Sequence, residues 1–251
     1  MSVALENQNP TVGFPFRGSL ILRGRLKRVE PRHHLAFIPT AWGMCGVVWE
    51  QHEDEFTFMN THPFAEQPEH TKLSRIVTPG LTISALRKQL LEKYPLCNEV
   101  IGDGHGNFHP EVVPEWFGEL VRYLQGYYSD SLHGRVGADF SEQWAFWKTR
   151  LAWSQVTEFQ RKVLEFTAKI PRGMRKTYGE VAKGIGKPKA SRAVGAALGA
   201  NPWPVLVPCH RVVGGNGKMT GFSAPGGVGT KQRMLEMEGV KAKGQKAGAR
   251  S

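Results

Sequence analysis

The sequence predicts an α+β protein in two parts, and three observations carry that prediction. In the first half, runs rich in Val, Phe and Trp around Trp42–Trp49 and Phe56–Met59 flank the polar QHEDE, the pattern of strands joined by an extended loop. Two later segments, Leu81–Tyr94 and Val113–Tyr128, repeat apolar residues at helical spacing. In the second half, short helical patterns succeed one another between capping residues and glycine stops, and two of them make a helix-turn-helix.

A length of 251 residues suits two modest domains or one large one. Hydrophobic residues are 40% and charged residues 22%, ordinary globular usage that excludes a fibrous repeat or wholesale disorder. No run approaches the ~18 apolar residues of a membrane span. The start, MSVALENQNPTVGFPF, has no signal-peptide core, so a soluble cytoplasmic protein without a membrane partner is expected. Cys45, Cys97 and Cys209 are an odd number at wide spacing, with neither CxxC nor a Cys/His ligand pattern. That argues against a disulfide framework and a zinc module, and leaves any important cysteine acting as a thiol.

Residues 1–35, sprinkled with Pro and Arg, read as a flexible basic arm with one strand candidate at Ser19–Leu22. Residues 36–150 read as an extended supporting domain whose sheet starts at Trp42–Trp49. The first helix places Leu81, Ala85, Leu86, Leu90 and Tyr94 on one stripe, with Thr82 or Ser84 as N-cap. Cys97–His109 reads as a loop, and its His105 and His109 lack a further ligand at metal spacing. The aromatic segment DFSEQWAFWKTR, Asp139–Arg150, is expected to pack this domain on the next.

Residues 151–240 read as the second domain and 241–251, KAKGQKAGARS, as a disordered basic tail. Thr157 and Gln160 have capping-box spacing before a helix whose Phe159, Val163, Phe166 and Ile170 share a face. Thr177–Ile185 is a short helix stopped by Gly186, and Pro188 opens another, Pro188–Ala200. This last helix is nearly bare: Ala190, Ala193, Gly195, Ala196, Ala197, Gly199 and Ala200 surround one cation, Arg192. Such a surface lies close to either a core helix or a nucleic-acid groove. Charge favours the groove, because residues 1–150 are net −2 and 151–251 net +13, a field that attracts a polyanion.

The following PWPVLVPCHRVV is held extended by three prolines and delivers Cys209 at a fixed turn beside His210 and Arg211. A nucleophilic cysteine needs a nearby base or cation to supply thiolate. Adjacency alone proves little, since a buried structural cysteine is the commoner case.

Pro208-Cys209-His210-Arg211-Val212-Val213 resembles the active-site signature of the O6-alkylguanine-DNA alkyltransferases, or methylated-DNA–protein-cysteine methyltransferases. The resemblance continues, in family order, through TYGEVA at Thr177, KASRAVGAALGANPWPVLVPCHRVV from Lys189, GKMTGFSAPGG from Gly217 and KQRMLEMEG from Lys231. VTEFQRKVLEFTAKIPRGM and LVRYLQGYYSD are similar more loosely, and residues 1–110 only weakly. It implies a ribonuclease-H-like N-terminal domain, with a small β-sheet and helices, and a winged helix-turn-helix-like C-terminal alkyltransferase domain.

The function it implies is DNA repair by direct reversal. A monomer would bind double-stranded DNA containing O6-alkylguanine, with O4-alkylthymine as a second candidate. It would flip the base out and move the alkyl group irreversibly to Cys209, once per molecule and with no metal or organic cofactor. By the same resemblance His210 acts through a water as base for Cys209, Glu238 orients His210, and Asn201 braces the turn before the cysteine. Tyr178 supplies a proton or hydrogen bond to the guanine ring, and Arg192 fills the base stack, with Thr177, Ala190, Ser191 and Gly195 near the DNA. Pro204, Val212, Phe222 and Ser223 form the substrate pocket, Val212 through its main chain and Ser223 at the lesion oxygen. Phe222 stands where the family often has tyrosine, SAP is longer than the usual version, and zinc-ligating cysteines of some relatives are not evident.

Three other readings explain less. A helix-turn-helix transcription factor leaves PCHRVV and Glu238 idle, and would carry more Asn, Gln and Arg for major-groove readout. The alkyltransferase-like binding proteins lack the cysteine that stands here at 209. A cysteine hydrolase built on Cys209 and His210 leaves the longer resemblance unexplained.

Overall fold

The computed structural model describes residues 32–51, 71–129, 141, 143–215 and 217–240. Ser19–Leu22, Phe56–Met59 and the tail 241–251 lie outside the described residues. The chain is α+β, as its patterning predicts. Strands β1 (Arg32–Thr40) and β2 (Gly43–Gln51) form a tight antiparallel hairpin, β3 (Thr71–Val77) pairs antiparallel with β2, and β4 (Asn98–Val100) runs parallel to β1. The order is β3-β2-β1-β4.

Three expectations need correction here. The described hairpin partner of β2 precedes it, so the segment read as an arm through residue 35 already belongs to the sheet from Arg32. Trp42 sits in the turn, and Gly43, which opens β2 directly after it, has φ +113°, a conformation that only glycine adopts without strain. β1 was concealed because two histidines and Pro39 interrupt its period of two, although Leu35 and Phe37 still serve one face and Ala36 and Ile38 the other. Within the expected Cys97–His109 loop, β4 is only three residues long and shows no periodicity of its own.

Helix α1 (Ile83–Lys93) covers one face of the sheet. Thr82 caps it by accepting the Ala85 N–H at 3.3 Å, and Leu86 and Leu90 pack on Leu35, Val48 and Val77. Each such buried leucine contributes about 1.5–3 kcal/mol. The helix comes so close that a Cβ on Gly46 would lie 2.6 Å from the Leu90 side chain. On the opposite face α2 (Phe117–Tyr127) packs Phe117, Leu120, Val121 and Leu124 against Ile38, Cys45, Val47 and Trp49. It begins later than Val113 because the residue before Pro114 is held extended.

The C-terminal part is helical: α3 (Trp144–Lys148), α4 (Glu158–Ala168), α5 (Tyr178–Gly184), α6 (Ser191–Gly199) and α7 (Gly227–Met237), with the two-residue strands β5 (Lys176–Thr177) and β6 (Val212–Val213). The Thr157–Gln160 capping box closes with both bonds, Gln160 N–H to Thr157 Oγ1 at 3.2 Å and Thr157 N–H to Gln160 Oε1 at 2.8 Å. The core face of α4 centres on Val163, Leu164, Thr167 and Ala168, leaving Phe159 and Phe166 half-buried. A second box, Thr177 with Glu180, starts α5. Helix α6 begins at Ser191 and not at Pro188. The bonds from Lys187 N–H to Ala182 O and from Ala190 N–H to Lys187 O tighten the intervening turn and keep Pro188 inside it.

The free edge of β3 is closed by the C-terminal part. Leu73 donates its N–H to Arg150 O at 2.6 Å, and its carbonyl accepts the Ala152 N–H at 3.0 Å and the Trp203 indole N–H at 2.8 Å. Ile76 N–H reaches Pro202 O at 2.9 Å. Covering an edge in this way removes a template for unwanted strand pairing. Among the described residues no helix is long and apolar enough to cross a membrane.

Candidate active site

The parallel pairing of β5 with β6 sets Lys176 against Val212 and Thr177 against Val213. That short ladder brings the start of α5, and with it Tyr178, beside the 3₁₀ turn Cys209–Arg211. Between α5, α6, Gly215 and the segment 220–223 lies a cleft of about 780 Å³ whose lining includes Thr177, Tyr178, Ser191, Arg192, Gly195, Cys209, Phe222 and Ser223. The Tyr178 hydroxyl donates to Thr220 O at 3.1 Å, and burial pushes its pKa up, so it is a neutral donor. Its ring lies against Gly195, where a Cβ would be in van der Waals contact at 3.7 Å. Arg192 and Ser191 are exposed in the first turn of α6, and Ala190 is the N-cap residue.

Three predicted pocket residues are placed differently from expectation. Val212 is fully buried in the core, with its carbonyl taken by Lys231 at 2.6 Å. Pro204 is bridged to Val207 within the turn before the cysteine. Neither is part of the cleft lining. Ser223 does line it, but its hydroxyl donates to Gly199 O at 2.9 Å, tying off the end of α6 and not pointing free for a ligand.

Cys209 is held by a strained turn. Val205 has φ +75°, the one positive φ outside glycine among the described residues, and a β-branched residue there costs about 1–3 kcal/mol. Asn201 compensates by donating from Nδ2 to Val207 O at 2.8 Å and accepting the Trp203 N–H at 3.0 Å. Burial pushes the Cys209 thiol up, while a hydrogen bond from Asn201 and the charge of Lys231 pull it back. Lys231 is a buried ammonium that donates to Val212 O and, at 3.3 Å, to Thr220 O, and stands 5.7 Å from the Tyr178 ring centre. Burial lowers its pKa and the cysteine raises it.

Behind the cysteine is a closed polar cluster. His210 Nε2 lies 2.8 Å from Glu238 Oε1, and Arg211 grips the same carboxylate with Nε to Oε2 and Nη2 to Oε1, both at 2.9 Å. A third arginine nitrogen, Nη1, donates to Ile170 O. Burial alone would raise the Glu238 pKa, yet His210 and Arg211 hold it well below the ordinary carboxylate range. An ionised carboxylate only accepts, so the hydrogen on the imidazole belongs on Nε2. Burial lowers the His210 pKa against the pull of Glu238, so the ring is neutral, with Nδ1 the acceptor and without a hydrogen-bond partner in the protein. A neutral imidazole with one bare nitrogen suits a general base.

The structure thus places Cys209, Tyr178, Arg192, Gly195 and Phe222 on one cleft, with His210 and Glu238 behind it and Asn201 at its hinge. The sequence reading assigns no role to Lys231 or Tyr127 and offers Arg211 only as a cation next to the thiol, whereas all three are drawn into this cluster. Lys231 and Arg211 sit in quoted motifs, and the signal available was charge in otherwise apolar surroundings. Among the described residues no cluster of three potential metal ligands forms.

Fold and site together define a helix-turn-helix protein with a thiol in its cleft. The family model for the DNA-binding domain of 6-O-methylguanine DNA methyltransferase matches residues 158–240. The methylated-DNA–protein-cysteine methyltransferase of Methanosarcina acetivorans is 42% identical over 125 residues, 50% of this chain and 70% of that protein. Its counterpart from Mycobacterium tuberculosis is 48% identical over 86 residues, 34% of this chain and 51% of that one. A crystal structure of Mycobacterium tuberculosis O6-methylguanine methyltransferase aligns with TM-score 0.50 at 26% identity, covering 85% of this chain and 97% of the other. The chain belongs to the methylated-DNA–protein-cysteine methyltransferase family.

Proposed function

We propose that this protein repairs double-stranded DNA by taking the alkyl group of O6-alkylguanine onto Cys209, once per molecule and as a monomer. O4-alkylthymine is a second substrate of the same geometry. The observation that carries the reading is the position of Cys209: its thiol opens on the cleft beside the helix-turn-helix, while the adjacent His210 is fully buried against Glu238. The protein works where its DNA lies, in the cytoplasm at a bacterial nucleoid or in a eukaryotic nucleus. Residues 151–240 form the DNA-binding alkyltransferase domain, and the part from Arg32 to residue 150 supports it.

The bare helix α6 approaches the minor groove, and Arg192 enters the stack as the damaged base leaves, offsetting part of an unstacking cost of a few kcal/mol. The thiol proton passes through a water to His210 Nδ1. The sulfur then forms a bond to the alkyl carbon as the carbon–O6 bond breaks, and the electron pair stays on the guanine. Tyr178 releases Thr220 O and donates to the ring as this charge develops. The guanine anion takes up a proton, matching the one the thiol gave to His210, and the base stays in the strand as guanine, with the cysteine now a thioether. Phe222 walls the pocket without a hydroxyl contact.

The test is a duplex carrying one O6-methylguanine, mixed with the protein and followed by peptide mass spectrometry. The expected result is one methyl per molecule on Cys209, unmodified guanine in the DNA, and no transfer by Cys209→Ala. Tight binding with no transfer by the unaltered protein would overturn it in favour of a lesion-sensing role.

A further inference from the structure

The hydroxyl of Tyr127 lies 3.0 Å from Glu238 Oε1 and 3.1 Å from His210 Nε2. It comes from the last turn of α2, the helix that packs under the N-terminal sheet, and is separated by 83 and 111 residues from its two partners. The side chain is buried, and burial beside the Glu238 charge pushes its pKa well above the ordinary phenol range, so it stays protonated. Glu238 is ionised and only accepts, which makes the hydroxyl a donor to Oε1. That oxygen therefore takes three donors: His210 Nε2, Arg211 Nη2 and Tyr127.

We propose that Tyr127 is a positioning residue for the alkyl transfer, through which the N-terminal part sets the orientation and basicity of His210. The proposal rests on the reading of Cys209 as alkyl acceptor and His210 as its base. A donor bond to a full negative charge is stronger than a shared contact to a neutral ring N–H. Removing the hydroxyl therefore leaves more charge on Glu238, strengthens its hold on the His210 proton and makes the imidazole more basic. The charged and titratable groups facing this pair are Arg211 and Lys231 around His210, Tyr123 and Tyr128 on the α2 side, and Arg172, whose guanidinium lies 5.9 Å from the Tyr127 ring centre. Arg211 already donates to Glu238 twice.

The neighbouring Tyr128 supplies a matched control, because its hydroxyl is equally buried and makes no hydrogen bond. The experiment follows iodoacetamide labelling of Cys209 in the full chain between pH 5 and 9, without DNA, together with methyl transfer from an O6-methylguanine duplex. In Tyr127→Phe the acid-side inflection of the labelling profile moves up by about one unit and transfer slows about tenfold. Tyr128→Phe, which removes a hydroxyl near Cys209 but no bond to Glu238, leaves the acid-side inflection in place. Fluorotyrosine at 127, a stronger donor that keeps the hydroxyl, moves the inflection down and serves if the phenylalanine variant does not fold. An inflection that stays in place, with only a lower melting temperature, makes Tyr127 structural and overturns the proposal. A moved labelling profile in a protein that takes no methyl from the duplex leaves Tyr127 standing and removes the proposed DNA reaction instead.

Discussion

Two arginines of the C-terminal part, Arg192 and Arg211, do opposite work. Arg192 is exposed on α6, among alanines and glycines that hold nothing else in its way. Arg211 is 1% exposed, clamps Glu238 through two nitrogens and reaches Ile170 O with a third. One cation lies exposed on the lining of the cleft and the other belongs to the scaffold behind the thiol. The contrast teaches that the +13 charge of residues 151–251 is not one undivided field. Lys231 and Arg211 are spent inside, on main-chain carbonyls and a carboxylate, where a phosphate never reaches them.

The deepest break in this contrast is Glu238→Gln. It leaves the buried Arg211 without its countercharge, and breaking such a pair costs about 3–5 kcal/mol, read as a fall in the denaturant midpoint at neutral pH. Because the Glu238 pKa is depressed in the fold, its stabilisation is present above the ordinary carboxylate range and drains away as pH falls below it. The variant should therefore flatten the acid limb of the stability profile, and an unchanged limb would show that Glu238 is not the group responsible. Arg192→Ala tests the surface side: transfer from a duplex falls about tenfold or more, while reaction with the free base O6-methylguanine and the melting temperature stay as they were. Equal losses on both substrates would take Arg192 out of base extrusion. Lys231→Met removes the interior cation beside the thiol, raising the Cys209 pKa and moving its iodoacetamide labelling profile to higher pH. The smallest effect belongs to Ser223→Ala, which loses the bond to Gly199 O at about 0.5–1.5 kcal/mol. Its transfer rate is expected to hold, and a large drop would return the hydroxyl to the lesion.

The legible parts of this molecule are those whose cause is local. Thr157 with Gln160 and Thr177 with Glu180 cap their helices through residues three apart, and the Cys209 turn is announced by its prolines. The start of α6 is not legible at Pro188, which suits a helix start and a tight turn equally, and the bonds from Lys187 and Ala190 decide for the turn. β1 is hard to read because its burial comes from neighbours on both faces, which weakens the alternation a half-exposed strand displays, and β4 because three mostly exposed residues are too few to show any alternation. Within the site, Cys209, His210 and Glu238 could be found from a family signature, whereas Tyr127 meets them only through the packing of α2. Ser223 shows the reverse: its place on the cleft follows from the motif, but the Gly199 carbonyl claims its hydroxyl.

The peptide group of Leu73 receives and gives bonds to Arg150, Ala152 and Trp203, so one strand edge holds both the linker into the C-terminal part and the turn that carries the thiol. Neither can be opened alone. The supporting sheet and the reactive turn therefore unfold as one cooperative unit, and amide hydrogens of Leu73, Ile76 and Ala152 should exchange at a common, slow rate. For the single-turnover reaction proposed for Cys209, this ties the loss of the reactive turn to the loss of the whole fold.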